Sequence, residues 1–328
     1  MMKLNLKIAG LAFTAMLAGV MISCTDIENE EIQTPYTYSD QYYENLRAYK
    51  ASDHQISFMW FSDYTSSHSL GIRFAGLPDS LDICSLWGGI PNPKDHPLAY
   101  EEMRFIQKVK GTKLTYVTFP GVSELDWVMS KPTAEERIQV YGDSLLRIVY
   151  NNDLDGLDLD YEIAGDWMHG RNFVNLVKYL GQYIGPKGKD PSKMLIVDGW
   201  PIEIDASVYE YMTYFIAQAY NSYGSVDLQD RFDRVWHNGI GLPPERYIVT
   251  ENIGDNFANG GVPFTEADGN TISVLGGQLY SLEGMARWNP TQGKKGGFGS
   301  FFGQRDYNSN PPYKYFRLGI QAQNPAVK

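Results

Sequence analysis

Asp155-Gly156-Leu157-Asp158-Leu159-Asp160-Tyr161-Glu162 is the stretch whose reading decides the fold. Polar and apolar residues alternate from Gly156 to Glu162, a period of two that describes a strand with two unlike faces and does not fit helical spacing. Asp158, Asp160 and Glu162 therefore share one face, and Leu157, Leu159 and Tyr161 share the other. Carboxyls two residues apart on a strand sit roughly 7 Å apart at Cα, close enough for their titrations to interact. Unpaired buried charges cost several kcal/mol or take up protons. At least one carboxyl of such a row is expected to stay protonated near neutral pH, which is what a general acid requires.

Two other readings fit parts of the stretch. An exposed acidic strand explains the carboxyls but gives the flanking leucines no task. Asn151, Asp153, Asp155, Gly156 and Glu162 also fall at positions 1, 3, 5, 6 and 12 of a calcium-binding helix-loop-helix. That motif needs a helix on both sides. Gly165 follows Glu162 almost at once, and the unbroken alternation asks for a strand, so no metal is expected.

The stretch resembles the D-G-x-D-x-D-x-E signature of glycoside hydrolase family 18, the family of chitinases and endo-β-N-acetylglucosaminidases; all five fixed positions match. Around it, β-rich runs alternate with segments of helical spacing, as in a parallel sheet of βα units. Strand candidates are Ile56–Phe61, Leu81–Trp87, Leu114–Phe119, Gly156–Glu162, Met194–Val197, Phe215–Tyr220, Tyr247–Thr250 and Gly297–Phe302. Helical spacing is clearest over Leu98–Lys110, Thr133–Tyr150, Asn172–Ile184 and Val226–His237. Eight strands predict a single-domain α/β fold, a (β/α)8 TIM barrel, with the acidic row on the fourth strand, where the family also carries it. Reacting residues of such barrels sit at the carboxyl ends of the strands, which puts Glu162 nearest the substrate.

Residues 1–23, with Lys3 and Lys7 ahead of an apolar run from Ile8 to Ile22, read as an export signal. Met21-Ile22-Ser23-Cys24 resembles the lipobox at which bacterial lipoproteins are cut and lipidated, here on Cys24. The acidic segment from Asp26 to Glu31 resembles surface-export signals of Bacteroidetes lipoproteins. The expectation is an exported lipoprotein of the outer membrane and cell surface, held to the membrane through a lipid on Cys24. Residues 24–50 read as a tether and an N-terminal helix, and 51–328 as the catalytic domain. Without the two signal lysines, 26 basic residues face 39 acids, a net charge of about −13, which disfavours nucleic acid and other polyanions as partners.

Beyond the signature, Gln218-Ala219-Tyr220-Asn221 resembles the family's Met/Gln-x-Tyr-Asp/Asn element, which implies that Tyr220 reaches the sugar's acetamide and that Gln218 and Asn221 help hold it. Trp60, Trp87 and Trp200 come at or just past strand ends, where a ring face can stack on a pyranose; barrel packing accounts for them equally well. Asp166, Trp167 and His169 are candidate rim contacts. The five histidines show no metal-ligand spacing, the glycines from Gly293 to Gly303 form no phosphate or dinucleotide loop, and there is no G-x-S-x-G elbow, so no cofactor is expected.

The resemblance implies substrate-assisted catalysis, in which the 2-acetamido oxygen attacks its own anomeric carbon. Glu162 would protonate the leaving oxygen and later activate water. Asp160 would orient the acetamide and stabilise the cation, and Asp158 would share a proton with Asp160. Asp155 and Gly156 would fix the strand's entry. The 45 residues or so between Thr250 and Gly296 leave too little room for the α+β insertion of processive chitinases. The chain thus looks like the compact endo-β-N-acetylglucosaminidases, particularly the Bacteroidetes lipoprotein branch, which cut the GlcNAc-β1,4-GlcNAc core of N-glycans. A chito-oligosaccharide hydrolase and a catalytically inert glycan-binding lipoprotein are the alternatives.

Overall fold

Eight parallel strands close on themselves in chain order: β1 (Ile56–Phe61), β2 (Ile83–Leu86), β3 (Lys113–Thr118), β4 (Gly156–Tyr161), β5 (Met194–Gly199), β6 (Tyr214–Gln218), β7 (Tyr247–Asn252) and β8 (Gly297–Phe301). β8 pairs back onto β1 with Gly297 opposite Ile56. The structure is a computed structural model and describes residues 38–65, 71–199, 205–235 and 241–326. The signal segment, Cys24, most of the tether, Trp200, His68 and His237 lie outside the described residues.

Between the strands run α1 (Asp40–Ala51, ahead of β1), α2 (Pro97–Lys108), the single turn α3 (Asp126–Met129), α4 (Ala134–Asn151), α5 (Arg171–Leu180), α6 (Ser225–Val235), α7 (Ser281–Arg287) and α8 (Lys314–Gln323). The start of α4 is written in the sequence: the Thr133 side chain accepts from the Glu136 backbone N–H and the Glu136 carboxylate accepts from the Thr133 N–H. Such a reciprocal pair satisfies two amides that the helix cannot. α1 belongs to the same compact unit as the barrel, Asp40–Lys328. Its Lys50 donates to the Leu81 carbonyl and to Thr112, and Tyr43 meets Phe105 of α2 edge to face.

The period of two in β4 is realised as two environments. Leu157, Leu159 and Tyr161 point outward into the large core between strands and helices, where Tyr161 stacks on Phe173 of α5 at 4.1 Å. The deep interior of the barrel is filled by Phe58, Trp60, Ile83, Ile196, Ile216 and Ile248. Asp158 and Asp160 lie buried above this apolar plug, at 0% and 3% exposure, so the barrel changes from hydrocarbon to carboxyl along one strand.

β4 and β5 are held unusually close by two glycines. A Cβ at Gly156 would lie 2.5 Å from the Met194 carbonyl oxygen, and one at Gly199, whose φ is +103°, would lie 2.8 Å from the Tyr161 carbonyl oxygen. Only glycine fits either position without moving a neighbouring backbone.

Several boundaries differ from the sequence reading. β5 runs on to Gly199 and so includes Asp198, whereas β6 stops at Gln218 and β4 at Tyr161, which places Tyr220 and Glu162 in the turns just beyond their strands. The calcium-loop reading fails because Asn151 ends α4 and Gly156 starts β4. Asp153 is engaged by Lys108 at 2.5 Å, and Asp155 accepts from the Leu114 N–H at 3.0 Å.

Candidate active site

Asp155 sits at the amino end of β4. Besides Leu114 N–H, it accepts from the Gln107 side-chain amide at 2.8 Å and lies 3.3 Å from Lys113 Nζ, tying β4 to β3 and α2. The rest of the signature rises from there toward the mouth. Asp158 Oδ2 accepts from the Trp60 indole N–H at 3.0 Å and the Ser85 hydroxyl at 2.7 Å. Asp160 lies opposite Asp198 in the β4–β5 register. Gln218 Nε2 reaches both, at 3.3 Å from Asp160 Oδ1 and 2.9 Å from Asp198 Oδ1. Glu162, one residue past the strand, is exposed.

Crowding acids in a dry barrel raises their affinity for protons. Burial pushes Asp158 up to about 6, against hydrogen bonds with Asp198, Ser85 and Trp60 that pull it down. Burial first, and then repulsion from Glu162 and Asp158, push Asp160 up to about 7, partly offset by its hydrogen bonds with Asp198 and Gln218. Asp198 is raised well above the ordinary carboxylate range by burial and by the charges of Asp158 and Asp160. Near neutral pH this cluster retains at least one proton.

The Tyr220 phenol is raised too, by burial and then by Asp198, Asp160, Glu162 and Glu251, so it stays a hydrogen-bond donor beside the acids. Its ring stacks on Phe301 of β8 at 6.0 Å. Asn221 has a left-handed backbone, φ 56°, and its N–H donates to Glu251, a fully buried acid on β7 that also caps Asn252 N–H. Glu251 thereby fixes the turn that carries Tyr220.

The aromatic expectations divide. Trp60 does not offer a ring to the mouth: it is 2% exposed, packed edge-on against Phe58 and Phe301, and its indole N–H is committed to Asp158. Trp87 is half-buried and meets both Phe301 and the exposed Phe119 edge to face. On the rim, Asp166 is a staple and not a free contact: its carboxylate accepts from Val122, Ser123 and Met168 N–H groups. Trp167 lies under the Arg137 guanidinium, and His169 stacks on Tyr161.

Four participants escaped the sequence reading: Asp198, Ser85, Glu251 and Phe301. Asp198 carried a usable signal, since Met194, Ile196 and Asp198 continue one period-two face and an acid closes an otherwise apolar run.

The family model described as "Glycoside hydrolase family 18, BT1044-like" matches residues 21–322. The chain belongs to glycoside hydrolase family 18. Among its relatives, it is 27% identical over 336 residues to endo-beta-N-acetylglucosaminidase F2 of Elizabethkingia meningoseptica, covering 92% of each chain. It is 26% identical over 198 residues to endo-beta-N-acetylglucosaminidase EndoS of Streptococcus pyogenes serotype M1, a match that spans 51% of this chain and 20% of that protein. In fold it is similar to a selenomethionine form of a BT1044 variant, with TM-score 0.72, 22% identity and coverage of 92% and 96%. It is also similar to an endo-beta-N-acetylglucosaminidase variant of Cordyceps militaris solved with fucosyl-N-acetylglucosamine-Asn, with TM-score 0.63, 21% identity and coverage of 88% and 98%. As a family 18 member with such relatives, the protein is a glycoside hydrolase built on a (β/α)8 barrel.

Proposed function

We propose that this hydrolase is an endo-β-N-acetylglucosaminidase that cuts the GlcNAc-β1,4-GlcNAc core of N-glycans with help from the substrate's own acetamide. The observation that carries the proposal is the graded row on β4: two buried aspartates, part of a cluster whose burial raises its affinity for protons, leading to an exposed glutamate at the barrel mouth. The relative from Elizabethkingia, named an endo-beta-N-acetylglucosaminidase and similar over nearly the whole chain, supports the choice of that activity over a chitinase.

In this mechanism the Glu162 carboxyl gives its proton to the glycosidic oxygen as the C1–O bond breaks. The acetamido carbonyl oxygen bonds to C1 from the opposite face, forming an oxazolinium ion. Asp160, ionised, accepts a hydrogen bond from the acetamide N–H and offsets the positive charge that develops there. Tyr220 donates to the acetamide oxygen and keeps it under C1. The Glu162 carboxylate then takes a proton from water, whose oxygen attacks C1 and reopens the ring with the configuration retained. Gln218 reaches Asp160 and Asp198 through its amide nitrogen, so its part is to orient the acids. Phe301, with Tyr220 stacked on it and Trp87 at its edge, supplies apolar surface beside the acids.

Incubating the protein with an N-glycosylated protein and, separately, with a chito-oligosaccharide, followed by mass analysis, tests the reading. Glycan release that leaves one GlcNAc on asparagine is expected. Cleavage of the oligosaccharide alone would make the enzyme a chitinase, and tight binding of either without product would make it an inert binder. The address proposed from the sequence, a lipid on Cys24, is tested by mass analysis of the membrane fraction; an unmodified Cys24 would remove it.

A further inference from the structure

The β4 row supplies Asp158, Asp160 and Glu162, but the structure places a fourth carboxyl among them. Asp198 is fully buried, closes β5 one residue before Gly199, and stands opposite Asp160 in the strand register. Gln218 Nε2 bridges it to Asp160, 2.9 Å from Asp198 Oδ1 and 3.3 Å from Asp160 Oδ1, and its carboxyl acts on both Asp158 and Asp160. Two carboxylates cannot hydrogen-bond to each other unless one carries a proton, because an ionised carboxylate only accepts. Asp158 and Asp198 also each keep a buried oxygen, Oδ1 and Oδ2 respectively, that no protein donor reaches. A fully ionised cluster would leave those oxygens unsatisfied and three charges repelling in a dry interior, whereas a proton on Asp198 turns one of its oxygens into a donor and removes one of the charges.

The surroundings select Asp198 as the carrier. Asp158 is already served by two donors, Trp60 and Ser85, which favour its ionised form. Asp160 is the acid nearest Glu162 and the mouth, where an anion is needed. Asp198 has one donor, Gln218, which it shares with Asp160. The groups that face it are Asp158 and Asp160 from β4 and Gln218 from β6, with Tyr220 beyond it and Glu162 acting on Asp160. Among the described residues, no cation stands among the strongest influences on any of the three aspartates.

We propose that Asp198 is a positioning residue that keeps a proton throughout the reaction and donates it as a hydrogen bond to Asp160, so that Asp160 stays ionised toward the sugar's acetamide. This rests on the proposed mechanism. It differs from a proton shared directly between Asp158 and Asp160 in making β5 the source of the hydrogen bond. The proton is never passed to the substrate; Glu162 alone exchanges protons with the leaving oxygen and with water.

Two measurements test it. A neutron structure of the wild-type protein near pH 7, without substrate, should show a deuteron on Asp198; a deuteron between Asp158 and Asp160 with none on Asp198 overturns the proposal. This readout needs no turnover and no variant, so it stands even if the glycan assignment fails. The second compares pH profiles of kcat. Asp198→Ala removes the donor that holds Asp160 ionised, so the acidic limb should move to higher pH by on the order of one unit. Asp198→Asn still offers an N–H donor and should leave that limb at the wild-type position. If Asp198→Ala loses stability or rate with the limb unmoved, Asp198 is merely structural and the proposal is wrong.

Discussion

Among the acids gathered at the mouth, Glu162 is the exposed one, while Asp158, Asp160, Asp198 and Glu251 are buried. An exposed carboxyl one residue beyond a strand full of buried ones can meet substrate and solvent in turn, as a group that first gives and then takes a proton must. Glu162→Gln keeps the shape and removes the proton. Its kcat should fall by about 10²–10⁴-fold, the range for loss of a general acid–base, while binding of the uncleaved glycan persists in calorimetry. Hydrolysis at near wild-type rate would show that the acid is a different residue. Trp60, an aromatic at a strand end, could by sequence be either a sugar platform or barrel packing; it is packed inside and donates to Asp158. How far an inward side chain lies below the mouth depends on strand stagger around the barrel, which periodicity alone does not contain.

The deciding elements are β4 and β5 taken as a pair. Leu157, Asp158, Leu159 and Asp160 were legible because one strand buried on two unlike faces must alternate. β5 was legible only in part. Its apolar run reads as a strand only to Val197, whereas the strand runs on to Gly199, where the Tyr161 backbone lies in the place a Cβ would take. The glycine at the end of the strand is what lets Asp198 approach β4. Gly199→Ala therefore places a methyl 2.8 Å from a carbonyl oxygen at a φ of +103°. A loss of about 1–3 kcal/mol in chemical denaturation is expected, with kcat reduced further as Asp198 and Asp160 move apart. Unchanged stability and rate would mean that the close approach does not matter. The turn after β6 hid its own role in the same way, because the buried Glu251 that holds Asn221 comes from β7, thirty residues on.

On the scale of the whole molecule, the acid row is a stability cost retained in a core that is otherwise apolar and well packed. Burial pushes Asp158 up to about 6 and Asp160 up to about 7, above the roughly 4 of an unfolded aspartate. A raised carboxyl favours the folded state fully below the unfolded value, and that contribution is lost as pH rises through the folded value. Asp160→Asn removes the penalty that remains at high pH. It should raise Tm more at pH 8 than at pH 4, by the equivalent of about 1–4 kcal/mol at pH 8, while abolishing most activity. Equal Tm changes at the two pH values would mean that ionising Asp160 costs the fold nothing.

In the proposed reaction the substrate's acetamide, and not a water molecule, receives the anomeric carbon while the Asp160 anion steadies the charge. Water attacking C1 directly would invert the configuration, whereas attack by the acetamide followed by water retains it. The most direct test is proton NMR of the reducing-end GlcNAc in the first moments of hydrolysis, before mutarotation. The account predicts that the β-anomer appears first and the α-anomer grows in only by equilibration; an initial α-anomer would contradict it.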